Sequence, residues 1–176
     1  MRDIYHSNNI SVVVDNNVLV DLFELGCLNL LFQVFDNVMI PQILYASEVQ
    51  DNVKLELQNF NFSLANIETE IGYSTYQILV TNPEYQRLSR YDKFAISIAK
   101  EKIYYCNSND LPVRKTCEQL GVNYTGVLGV LGRAYIKAVI TEDNLRHYLN
   151  KLLSDETSCY IKEKLIRDFE IEIFSV

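Results

Sequence analysis

The sequence predicts an α/β fold, a mostly parallel sheet with helices on both faces, and three observations carry that reading. Short apolar runs recur along the chain, at Ser11–Asp15 (SVVVD), Asn37–Ile40 (NVMI) and Ile103–Cys106. Each is followed by a segment with helical spacing of its apolar residues. Strands that alternate with helices in this way build a parallel sheet covered on two sides.

The elements follow in order. Ser11–Asp15 places three β-branched residues in a row and stops at polar Asp-Asn-Asn, as a short buried strand does. Asn16 to Leu25 has apolar Val18, Leu19 and Phe23 at helical positions, with Gly26 as the stop. Cys27–Phe35 reads as a second, very apolar helix. Asn37–Ile40 is the second strand, and Pro41 opens a helix through about Val49. Lys54–Ile67 is ambiguous, its alternating NFNFSLANI suiting a strand or an extended edge segment. Thr69–Thr81 is helical and is interrupted near Asn82-Pro83. Ser89 is an N-cap for a strong helix, Tyr91–Lys100, with Phe94, Ala95, Ile98 and Ala99 as its buried stripe.

The strand Ile103–Cys106 leads to a helix begun by Asp110-Leu-Pro112 and ended by Gly121. A short strand, Val122–Tyr124, precedes a helix over Gly126–Ile140 that Gly129 and Gly132 soften. Thr141 caps a helix, Glu142–Leu153, and Cys159–Asp168 is the last. The closing EIEIF alternates with period 2, which predicts an added edge strand. Thr141 is the best boundary: residues 1–140 form the main domain, and 141–176 a helical extension packed on it.

Composition narrows the class. The chain has 176 residues, enough for one well-cored domain, with 48% apolar and 22% charged residues. No apolar run reaches the roughly 18–20 residues of a membrane span. The opening MRDIYHSNNI lacks the apolar stretch of a signal peptide. Cys27, Cys106, Cys117 and Cys159 have no zinc-like spacing, so reduced thiols in a cytoplasmic protein are the expectation. The net charge is −7, unevenly spread. Residues 1–86 hold two basic residues against eleven acidic ones, and residues 87–176 hold fourteen against twelve. A basic surface on the second half could attract phosphates, with Arg114, Lys115 and Arg133 as candidates; a simply solvated face is an equal alternative.

Four acids stand at strand ends or on the helices that follow: Asp15, Glu48, Asp92 and Asp110. In an open α/β sheet the carboxyl ends of the strands form the ligand-binding edge. Carboxylates gathered there repel unless a cation neutralises them, and Mg²⁺ or Mn²⁺ suits an all-oxygen set. Glu48 and Asp92 lie on helices and face inward if the periodicity holds. Each acid alone also has a plain structural role: Asp15 and Asp110 as helix caps, Asp92 as a first-turn residue favoured by the helix dipole, and Glu48 as a solvent-facing residue. Asp21 and Glu24 read as surface residues.

VVVDNNVLVDLFELG, IPQILYASEV, LSRYDKFAISIAKE and YYCNSNDLPVRKTCEQLGVNYTGVLGVL, in that order, resemble the successive motifs of the PIN domain over residues 11–140, and most closely its VapC-like toxin ribonucleases. The resemblance implies a three-layer PIN-like fold with a central, mostly parallel sheet. It implies Mg²⁺- or Mn²⁺-dependent hydrolysis of RNA phosphodiester bonds, and a role as the toxin of a toxin–antitoxin pair. A homodimer and an antitoxin protein are the implied partners. Asp15, Glu48, Asp92 and Asp110 match the family's acidic positions, as metal ligands and catalytic groups. Asn17 stands where a small polar residue orients the first Asp. Ser108 replaces the usual Thr and keeps its hydroxyl, and Asn109 falls at a variable position. The apolar helix Cys27–Phe35 is a candidate for part of the dimer interface. The competing reading is a catalytically silent PIN module that binds protein or RNA, favoured by the low basicity. Asp15-Asn16-Asn17 lacks the second Asp of a haloacid-dehalogenase-type phosphatase, and no phosphate-cradling glycine loop follows the first strand.

Overall fold

The computed structural model describes residues 2–154 and 157–175. In chain order the elements are α1 (Arg2–His6), β1 (Ser11–Val14), α2 (Asn16–Glu24), α3 (Asn29–Val34), β2 (Asn37–Pro41), α4 (Gln42–Ser47), α5 (Asp51–Leu57) and β3 (Ser63–Ala65). Then come α6 (Glu70–Thr81), a 3₁₀ turn at Pro83–Tyr85, α7 (Arg90–Lys102), β4 (Tyr105–Asn107), α8 (Leu111–Gln119), β5 (Tyr124–Thr125), α9 (Val127–Ile136), α10 (Glu142–Leu152) and α11 (Glu163–Phe174). The five strands form one sheet in the order β3-β2-β1-β4-β5, and every neighbouring pair is parallel.

The run of valines explains the layering. Side chains alternate across a strand, so consecutive apolar residues serve both faces of a doubly covered sheet. Val12 and Val14 of β1 enter the core shared with α2, α3 and α9, whereas Val13 enters the core shared with α7 and α8. All three are fully buried. From β1 the chain moves outward to β2 and β3, then returns to lay β4 and β5 on the other side. That reversal makes a crevice at the carboxyl ends of β1 and β4.

The first core also holds Leu145, Leu149 and Leu152 of α10 and Ile166, Phe169 and Ile173 of α11. These two helices therefore pack with α9 rather than standing apart. The helix expected over Cys27–Phe35 is α3, and Cys27, Leu28, Leu30, Leu31, Val34 and Phe35 are all buried in the same core. Most of its apolar side is thus buried within the chain, with Phe32 half-buried.

Three other elements differ from the sequence reading. The EIEIF segment is the last turn and a half of α11, not an edge strand. Its buried residues Ile166, Phe169 and Ile173 follow helical spacing, while Ile171 is 72% exposed. The helix Asp51–Leu57 takes up the start of the ambiguous stretch, with Val53 and Leu57 buried one turn apart, and only Ser63–Ala65 of that stretch is strand. α9 stops at Ile136, where Lys137 caps it and Ala138 takes a positive φ of 55°.

Candidate active site at the strand ends

Asp15 lies at the carboxyl end of β1, where its backbone N–H continues the ladder to the Asn107 carbonyl of β4 at 3.0 Å. It is buried, with 5% exposure. Its carboxylate accepts three hydrogen bonds: the Asn16 backbone N–H at 2.8 Å, the Asn17 amide at 2.7 Å and the Ser108 hydroxyl at 2.8 Å. Asp15 thus does cap α2, and Asn17 does hold it as expected.

Ser108 is fully buried just past β4. Its hydroxyl donates to Asp15 and accepts from the Asn17 amide and the Asp110 backbone N–H, both at 3.2 Å. One donor and two lone pairs are the whole capacity of a hydroxyl, so this side chain is fully committed to joining β1 to β4. Asp110 occupies the N-cap position of α8, yet its side chain makes no capping hydrogen bond, and the residue is exposed. The capping explanation for Asp110 therefore fails. Asp92 is half-buried on α7 and belongs to a capping box: Ser89 N–H donates to it at 2.7 Å, and Asp92 N–H donates to the Ser89 hydroxyl at 3.1 Å.

Electrostatics link the three aspartates. The Asp15 carboxyl is pushed up to about 7, first by burial and next by the Asp92 charge, with Asp110 adding to it; the hydrogen bonds from Ser108 and Asn16 act the other way. The Asp110 carboxyl is raised by desolvation and by Asp92. None of the ion pairs formed among the described residues involves Asp15, Asp92 or Asp110. Glu48 is not brought into this group. It is exposed at the C-terminal cap of α4 rather than facing inward, and its charge is not among those acting on Asp15 or Asp110.

The donor set is hard oxygen with uncompensated charge, which suits Mg²⁺ or Mn²⁺ in kind. Among the described residues, no three His, Cys, Asp or Glu side chains converge closely enough to enclose an ion. Mg²⁺ commonly keeps several waters and takes only one or two carboxylates. In kind, these carboxylates would suit a largely hydrated ion rather than an enclosed one.

Two residues outside the expected set support the site. Asn109 joins three segments: its backbone N–H donates to the Asn17 side-chain oxygen at 3.1 Å, its amide donates to Asp21 at 2.5 Å, and its side-chain oxygen accepts from Val127 N–H of α9 at 3.0 Å. Gly126 makes room for it, since a Cβ there would sit 2.3 Å from the Asn109 side-chain oxygen. Asp21 is buried at 5% exposure, not a surface residue, and its carboxyl is raised by desolvation against hydrogen bonds from Cys159 and Asn109. Glu24 is half-buried and accepts from Ser158 N–H at 2.6 Å. An acidic residue three positions from buried Val18 and next to buried Leu22 was the available signal for Asp21.

Arg133 is corrected outright. It is fully buried on α9, where no RNA could reach it. Its guanidinium donates to the carbonyls of Val34 at 2.5 Å, Ser7 at 2.9 Å and Ile4, and stacks over the Phe35 ring. It closes the ends of α1 and α3, whose last carbonyls lack helical partners. Arg114 is half-buried and lies over the Tyr124 ring at 5.2 Å, while Lys115 is exposed.

No curated protein matches the chain. The family model for the DUF3368 PIN domain, a nuclease-type domain, matches residues 11–172. With a match over most of its length, an all-parallel five-stranded sheet and acidic residues gathered at its carboxyl edge, this chain belongs to the PIN domain family.

Proposed function

We propose that this protein is a Mg²⁺- or Mn²⁺-dependent endoribonuclease that hydrolyses RNA phosphodiester bonds. The observation that carries the reading is Asp15: a buried carboxyl, raised to about 7 by burial and by Asp92 and Asp110, with no cationic side chain paired to it among the described residues. A carboxylate in that setting is poised for a divalent cation. Asn17 and Ser108 fix its orientation, and the unused capping oxygens of Asp110 leave that carboxylate free for the ion or its waters. When bound, the ion supplies an activated water and offsets charge building on the phosphate. Asp15, Asp92 and Asp110 are the assigned ligands. Glu48, at the surface end of α4, is assigned no contact with the ion.

The test is cleavage of a mixed RNA pool in Mg²⁺ and in Mn²⁺ by wild type, Asp15→Asn and Asp92→Asn. Wild type should cut and lose activity in EDTA, and each variant should lose most of it. An Asp15→Asn protein that cuts as fast as wild type ends the proposal. We extend it to a toxin paired with an antitoxin protein and acting as a homodimer. Expression of the wild type, but not Asp15→Asn, should then arrest growth, and co-expression of the product of an adjacent small gene should relieve it.

Two observations favour a second reading, a catalytically silent module that binds protein or RNA. The three aspartates do not close around a common point among the described residues, and the chain carries −7. Calorimetry with Mn²⁺ that gives no heat of binding, together with no cleavage of any RNA, selects this reading over the enzyme.

A further inference from the structure

Beside Asp110 the surface opens into a cleft of about 410 Å³, lined by Asn17, Asp21, Asn109, Asp110, Ser158 and Tyr160. Four of these have roles in or next to the aspartate group. Tyr160 does not. It stands outside the helices, ahead of α11, and is 92% exposed.

The backbone that carries the ring is nevertheless pinned. Ser158 donates to the Glu24 carboxylate through its N–H at 2.6 Å and through its hydroxyl at 2.9 Å. Cys159 hydrogen-bonds Asp21, which in turn holds Asn109, the residue preceding Asp110. Anchors one and two residues away therefore hold the backbone of Tyr160 at the edge of the cleft, and its ring stays open to solvent.

Charge says what such a ring is for. The cleft contains two aspartates and neither Lys nor Arg among its lining residues. The chain is net −7, and Arg133 is sealed in the core. The lining of the cleft itself therefore offers no cationic side chain to a phosphate. The remaining route is the bases, whose faces stack on aromatic rings with little regard for sequence.

Resting on the nuclease reading, we propose that Tyr160 is a stacking platform for an unpaired nucleobase next to the phosphate that is cut. The ring faces one base, Asp110 and its neighbours face the adjacent backbone, and binding depends only weakly on salt.

The experiment measures binding of a short fluorescein-labelled oligouridylate by anisotropy, with Ca²⁺ in place of Mg²⁺, for wild type, Tyr160→Ala and Tyr160→Phe. A matched oligonucleotide with abasic sites serves as the control. Tyr160→Ala should weaken oligouridylate binding about tenfold, Tyr160→Phe should restore it, and neither should change abasic binding. In cleavage assays the same Ala variant should raise KM by a similar factor and leave kcat within about twofold. The proposal is overturned if wild type does not bind, if Tyr160→Ala binds as wild type does, if abasic binding falls equally, or if kcat falls with KM unchanged. It is also overturned if sedimentation shows that Tyr160→Ala breaks up a dimer, which would make the ring a subunit contact. Ring-dependent binding without any cleavage in Mg²⁺ refutes the nuclease reading and keeps the platform. Cleavage indifferent to Tyr160 does the reverse.

Discussion

Replacing Asp15 with asparagine should change how the metal-free protein responds to pH, and the size can be worked out. A carboxyl at 3.8 in the unfolded chain and about 7 in the folded one favours the folded state while it is protonated. That stability is complete below the unfolded value and is lost as pH rises through the folded value. Between about pH 5 and about pH 8 the wild type should lose about 2–3 kcal/mol from this group alone. The amide of the Asp15→Asn variant cannot ionise, which removes that loss. It also carries a cost. Asp15 accepts from Asn16 N–H, Asn17 and Ser108. An amide presents one oxygen, so in either orientation at least one donor meets another donor, for about 1–2 kcal/mol. At pH 5 ionisation of the unfolded carboxyl already costs the wild type about 1–2 kcal/mol, so the variant should match it near pH 5 and be more stable by about 2–3 kcal/mol near pH 8. Urea unfolding in EDTA, followed by circular dichroism, reads this as a relative midpoint shift of roughly 1 M between the two pH values. Parallel pH dependence of the two proteins would refute the buried, charge-crowded carboxyl.

Four further outcomes are expected. Mn²⁺ added to the wild type near pH 8 should raise its melting temperature in a concentration-dependent way, and Asp15→Asn should respond far less; equal responses in differential scanning fluorimetry would count against binding at Asp15. Arg133→Ala should cost about 3–4 kcal/mol in urea unfolding, because three carbonyls, those of Val34 and Ile4 in buried bonds, lose a charged donor, and Arg133→Lys should recover little since one ammonium cannot span them. Gly129→Ala, a change that normally favours a helix, should instead destabilise by about 1–3 kcal/mol, because the new Cβ would fall 1.8 Å from the Thr125 hydroxyl; Thr125→Ala in the same chain should relieve part of it, as thermal melts would show. Ile103→Gly should stabilise by about 0.5–1 kcal/mol in urea unfolding, since a β-branched residue at φ 57° and 88% exposure closes α7 where glycine is at ease.

The parts of the fold written in short-range chemistry were legible in the sequence. SVVVD announced β1, Ser89 announced the start of α7, and Thr141 announced α10; in each the signal and the structure are the same few atoms. What failed depended on partners far along the chain. EIEIF fits a strand as well as a helix until Ile166 and Phe169 are known to share a core with Ile173. The stretch from Lys54 shows no clear period until Val53 and Leu57 are known to be the pair that is buried. Arg133 looked like a surface cation because nothing near it in sequence shows that the carbonyls of Ile4, Ser7 and Val34 converge on it. The aspartates were identifiable as strand-end acids, and Asp15, Asp92 and Asp110 do feel one another's charge. Glu48 did not follow, because α4 ends at Ser47 and leaves the next residue at the surface.

The bond from Ser108 to Asp15 joins residues 93 apart in the chain. Closing so long a loop is entropically slow compared with forming helices or neighbouring strands. β1 can find β2 early, but β4 must return across the growing sheet before Asp15, Ser108 and Asp110 share one edge. Acidic crowding is thus deferred to a late step of folding, when most of the hydrophobic surface is already sequestered. A refolding chain should regain helical signal before it regains any response to divalent ions, and the lag between the two would time the docking of β4 on β1.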